Sequence, residues 1–132
     1  MRPFPAAVRP EPRHRMPTLR DLVQALHRRP GVAGVVVLGR DGLLVEVAGL
    51  APADAERVAA MAPGLLAAAD ALGEASGRGA LATAVLEHAG GLTVACTLGR
   101  EVAVLAQLVP DTDPSPLVAE VRRSRAALAA LV

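Results

Sequence analysis

From Thr18 onward, glycine and proline cut this chain into segments of helical and strand period whose order leaves few folds open. Leu19, Leu22, Val23 and Leu26 share one helical face. Thr18 and Asp21 are spaced as a capping box with Asp in the usual Glu position, and Pro30-Gly31 closes the helix. Residues 32–38 are small and β-branched without a polar break, the pattern of a strand buried on both faces. Asp41-Gly42 is a hairpin signal, and residues 43–47 return as the partner strand, with Glu46 facing away from Val45 and Val47. Pro52 fits the first turn of a second helix. Its apolar positions, Val58, Met61, Ala62, Leu65, Leu66, Ala69 and Leu72, recur at three and four, and Gly73 or Gly77 ends it. Pro63 inside that helix predicts a kink or break near residues 59–63. Residues 81–87 alternate imperfectly, 92–98 alternate cleanly and 102–108 form a third strand, and the short turns between them predict an antiparallel meander. A last helix begins with Ser115 as N-cap and Pro116 in first position. Its seam is Leu117, Val121, Ser124, Leu128 and Leu131, with Arg122, Arg123 and Arg125 in solvent.

Residues 18–132 thus read as one α+β domain in the order α-β-β-α-β-β-β-α. Residues 1–17 are a different block. Five prolines deny it regular hydrogen bonding, and Arg2, Arg9, Arg13 and Arg15 against Glu11 make it basic, as expected of a disordered tail. Met16 directly precedes the ordered pattern and is a second candidate for the start codon. The only aromatic, Phe4, lies in that tail, so Ala, Val and Leu must build the core. Their small side chains bury little area each, and a partner subunit can supply what such a core lacks. All fourteen basic residues are Arg while Lys, Asn, Ile, Tyr and Trp are absent, which suggests a GC-rich genome. Net charge is +1, which provides no strong field toward nucleic acid or membranes. No apolar run is expected to approach the roughly 20 residues of a membrane span, and no signal peptide opens the chain. A lone cysteine allows no intrachain disulfide and fits a reducing, cytoplasmic setting.

Reactive groups are sparse. Asp111 and Asp113 are two carboxylates in one loop, better read as turn and cap residues than as a cation site. Glu87 and His88 are adjacent on a strand and point to opposite faces. Cys96 shares a face with Leu92, Val94 and Leu98, where burial makes a thiol inert. No phosphate-binding glycine loop, zinc spacing or nucleophile elbow is present, so no cofactor, metal or enzymatic activity is expected. The Ala-rich second helix is apolar over more of its surface than one stripe needs. It is therefore expected to pack against another helix.

Three stretches carry a family resemblance: GVAGVVVLGRDGLLVEV, AERVAAMAPGLLAAADALGEAS and LATAVLEHAGGLTVACTLGREVAVLAQLVPD. Together they resemble the Roadblock/dynein light chain family over nearly all of the chain after the tail, with Pro63 as a departure. The resemblance implies an α/β/α sandwich whose five-stranded, mainly antiparallel sheet has one helix on one face and two on the other. It implies homodimers in which second helices pack side by side and third strands join edge to edge. Val58, Met61, Leu65, Leu66, Ala69, Leu81, Thr83 and Val85 are the interface candidates, and charges at Leu65 and Leu66 should split the dimer. It also implies a small Ras-like GTPase as partner, in a bacterial regulator or scaffold. The alternative is a structural adaptor in a larger assembly, without nucleotide-dependent binding. A small-molecule sensor is disfavoured by the scarcity of aromatic and polar pocket residues.

Overall fold

The computed structural model describes residues 17–132, so the expected tail lies outside the described residues except for Pro17. The elements are α1 (Leu19–His27), β1 (Val32–Gly39), β2 (Leu44–Ala48), α2 (Pro52–Ala75), β3 (Thr83–His88), β4 (Gly91–Thr97), β5 (Val102–Leu108) and α3 (Ser115–Ala130). The strands form one sheet in the order β2-β1-β5-β4-β3, and every neighbouring pair is antiparallel. Short turns dictate this for β1–β2 and for β3–β4–β5. The remaining pair, β1 with β5, joins the hairpin to the meander and makes both strands central. That is why 35–38 and 103–106 are continuously buried.

Strand alternation sends β1 into two cores. Val35 and Val37 pack with Val23 and Leu26 of α1 and Leu117, Val121 and Leu128 of α3. Val36 and Leu38 pack with Ala55, Ala59, Ala62 and Leu66 of α2, together with Ala95, Ala103 and Leu105. The sheet therefore carries two helices on one face and one on the other. The second core is mostly alanine, with Leu38, Leu66, Leu105 and Val36, and its small side chains keep the α2 backbone near the sheet.

The turn chemistry largely follows the sequence. Thr18 Oγ1 accepts from the Asp21 N–H at 3.1 Å, and the Asp21 carboxylate accepts from the Thr18 N–H at 2.9 Å. Glu46 does face away from Val47, and the structure adds that this face carries α1, with the Glu46 carboxylate 3.9 Å from Arg20, although a bulge interrupts the register between Val37 and Leu38. Gly77, in the left-handed region at φ 72°, lies just past the end of α2.

Four expectations are corrected. Pro63 does not break α2, which runs unbroken from Pro52 to Ala75. A proline removes one ladder bond, and here sheet packing on Ala59, Ala62 and Leu66 holds the turns on either side of it. Ser115 is the first helical residue of α3 rather than its cap. Asp113 Oδ1 accepts the Ser115 N–H at 2.9 Å instead. Arg125 is not solvated, because its Nε and Nη2 are buried. Finally, α2 is long and apolar enough by length and composition to cross a membrane. In this fold it instead docks on its own sheet and carries Asp54, Glu56, Arg57, Asp70 and Glu74.

Candidate protein-interaction surface

One line of α2, Ala55, Ala59, Ala62 and Leu66, faces the sheet and is buried. At about 100° per residue, Val58, Met61, Leu65, Ala69 and Leu72 form a second line beside it. Met61 is 77% exposed and Leu72 is 72% exposed. The other flank of α2 is held by the β1–β2 hairpin. Asp70 accepts from an Arg40 Nη1–H and, at 2.7 Å, from the Leu81 N–H. The Leu81 amide and the Arg40 guanidinium hold the Asp70 carboxyl below its ordinary value. The Arg40 N–H in turn donates to the Glu101 carbonyl at 2.8 Å. Anchored on that side, α2 presents its second apolar line toward β3.

Between that line and the sheet lies an open groove of about 490 Å³. Val58, Met61 and Leu65 form its α2 wall, Leu86 its β3 wall, and Arg57 sits at its side. Its floor holds a polar chain. The Thr93 hydroxyl donates its one proton to Gln107 Oε1 at 3.1 Å, so it accepts from His88 Nε2 at 2.9 Å. This assigns the His88 proton to Nε2.

The groove ends at β3, the outer strand of the sheet, whose far edge has no strand partner among the described residues. Alternation divides its side chains. Ala84, Leu86 and His88 face the α2 side. Thr83, whose hydroxyl lies 4.0 Å from Cys96 Sγ, faces the α3 side with Val85 and Glu87. Exposed apolar surface beside an unpaired strand edge is a protein-association geometry.

The expected interface residues therefore separate. Val58, Met61, Leu65 and Ala69 lie on one flank of α2. Leu66 does not: it is fully buried against the sheet, and a charge there attacks the core. Leu81 packs beside the α2 core, and Thr83 and Val85 lie on the opposite face of the sheet from the groove. Ala84, Leu86, His88, Thr93 and Gln107 were missed. The alternation of 81–87 was the available signal, but imperfect alternation did not fix which phase faces α2. Cys96 is buried as expected, and burial pushes its thiol up. Asp113 has its capping role, and bonds from Ser115 hold its carboxyl below the ordinary value. Glu87 and His88 are both exposed at the end of the hairpin.

A three-layer fold with an exposed apolar groove beside a strand edge that is unpaired among the described residues has the geometry of a protein-binding module. Residues 18–108 match the Roadblock/LC7 domain, and the chain belongs to that family. It is similar to a solved Roadblock/LC7 domain from Streptomyces avermitilis, with 26% identity and a TM-score of 0.77 over 85% of this chain and 95% of that one. Similarity to MglB of Myxococcus xanthus has a TM-score of 0.77 at 17% identity, over 86% of this chain and 93% of that one. For MglC of the same organism the TM-score is 0.58 at 16% identity, over 84% and 96%. The latter two likenesses establish shared fold alone. No curated protein matches the sequence.

Proposed function

We propose that this chain is a non-enzymatic, cytoplasmic, homodimeric regulator or scaffold of a small Ras-like GTPase. The observation that carries the protein-binding part is the exposed apolar line of α2 beside the free β3 edge. A 24-residue helix that buries four residues leaves an apolar flank in water unless another surface covers it. Self-association is supported by that flank and by the likeness to a structure described as MglB with tetrameric arrangement, which has a TM-score of 0.74. The GTPase as second partner rests on family membership and the likeness to MglB. The non-enzymatic reading is supported by the inert setting of Cys96 and by the structural roles of Asp70 and Asp113.

The test is affinity capture from a lysate of the native organism, with GDP and with a non-hydrolysable GTP analogue, read by mass spectrometry. A small GTPase enriched in one nucleotide condition is the expected result. Capture of other proteins regardless of nucleotide would instead identify a structural adaptor.

A further inference from the structure

We infer that the neck between the α2 groove and the end of the sheet docks an acidic segment of a partner protein, with its carboxylate seated among Arg57, His88 and Gln107. This rests on the protein-binding reading above and names the partner's chemistry. Three observations carry it.

The first is continuity. A second cavity of about 290 Å³ lies at the end of the sheet, with Gly91, Val109 and Pro110 in its wall. His88 and Gln107 line both this cavity and the groove, so they mark the neck where the two meet. No residue of α2 lines the second cavity. A chain can therefore enter there without displacing whatever covers Met61 and Leu72. Val109 is 45% exposed and gives the entering chain an apolar lip.

The second is charge. Among the described residues, Arg57 and His88 are the only titratable side chains that line either cavity, and no carboxylate does. Arg57 has no ion pair among the described residues. Asp54 and Glu56 lie on α2 outside the groove lining, and Glu87 faces the other side of the sheet. β4 and β5 contribute Thr93, Leu105 and Gln107 to the lining, none of them charged. The sign of the neck is thus set by cations alone, and an anion complements it.

The third is the polarity of the hydrogen bonds. The Thr93 hydroxyl donates to Gln107 Oε1, which leaves the Gln107 amide nitrogen with two N–H donors and no acceptor among the described residues. His88 Nε2 donates to Thr93, so Nδ1 is its open ring atom. That atom accepts in a neutral imidazole and donates in an imidazolium. With His88 protonated, the neck presents donors from Arg57, Gln107 and His88 together. An Asp or Glu carboxylate accepts from several donors at once and matches that set.

The experiment is a backbone- and side-chain-resolved NMR titration of the full chain with two synthetic probes. One is an amphipathic peptide of leucine and glutamate, and the other is its leucine–lysine counterpart. The acidic peptide is expected to shift the His88, Gln107 and Val109 signals and to bind about fivefold or more tightly than the basic one. Arg57→Glu, at an exposed position, should remove or reverse that preference with an unchanged circular dichroism spectrum. Lowering the pH from about 8 to about 5.5, where glutamate stays ionised, should tighten the acidic peptide by roughly two- to fivefold. His88→Gln should abolish that pH response. Equal binding of both peptides with no response to Arg57→Glu would overturn the charge assignment, and no shift at these residues with either peptide would overturn the site. Signals there that move only with the chain's own concentration would make a second copy the occupant, which also overturns the proposal. The nucleotide-dependent capture tests the GTPase reading separately: it can succeed while the peptides fail, and fail while the acidic peptide binds.

Discussion

At the scale of single residues, Asp70 ties three segments together with one carboxylate. It holds Arg40 of the β1–β2 turn, the Leu81 amide ahead of β3, and α2 itself. Because these bonds favour the ionised form, its folded pKa lies below its ordinary value of 3.8. The contribution to stability is then present above that value and lost as pH falls through the folded pKa. Asp70→Asn should therefore lower the urea midpoint at neutral pH, and the gap to wild type should close on acidification below the ordinary value. A gap constant down to about pH 2 would contradict this assignment. The adjacent pair Leu65 and Leu66 gives the contrast between surface and core. Leu66→Ala should cost about 2–5 kcal/mol by chemical denaturation, because it opens a cavity against the sheet. Leu65→Ala, on the half-buried flank, should cost clearly less. In sequence the two are indistinguishable, because a helix apolar around much of its circumference conceals which line meets the sheet.

At the scale of elements, α2 contains two glycines with opposite expectations. An alanine at an ordinary helical glycine stabilises by about 0.5–1 kcal/mol. Gly64 has nothing within 4 Å of its missing Cβ, so Gly64→Ala should follow that rule. At Gly73 a Cβ would collide with the Gly79 carbonyl oxygen, so Gly73→Ala should destabilise despite its better helix propensity. Thermal melts of the two variants against wild type should move in opposite directions. Melts that both rise would show that the loop after α2 yields freely. This close approach had no sequence signal, since the chain folds back on Gly73 through residues 77–79, where Arg78 and Gly79 both donate to its carbonyl. Element order, by contrast, was legible throughout. Pro52, Asp41-Gly42 and Thr18 with Asp21 are local devices whose chemistry acts over two to four residues. They say nothing of the sheet order, because pairing β1 with β5 is a long-range event without a local signature. The α2 line of the candidate surface was legible for a related reason: Val58, Met61 and Leu65 repeat with the helical period. The groove floor was not, because Thr93, Gln107 and His88 meet only once three strands have paired.

For the whole molecule, a core of alanine, valine and leucine divided between two sheet faces leaves the α2 flank uncovered. In the proposed homodimer a second copy would cover that flank and remove exposed apolar surface from solvent. In that arrangement Met61 and Leu65 lose exposure without disturbing either core, so the surface can evolve partner specificity separately from fold stability. Sedimentation equilibrium of wild type and Met61→Glu is the deciding test. Met61 is highly exposed in the single chain, so its substitution should leave the fold intact, as circular dichroism would show, although loss of the dimer removes the stabilisation that association adds. The expected results are a wild-type mass near twice 13.5 kDa and a folded Met61→Glu monomer. A wild type that stays at 13.5 kDa across concentration, or a Met61→Glu variant that dimerises as tightly as wild type, would contradict the α2-mediated dimer.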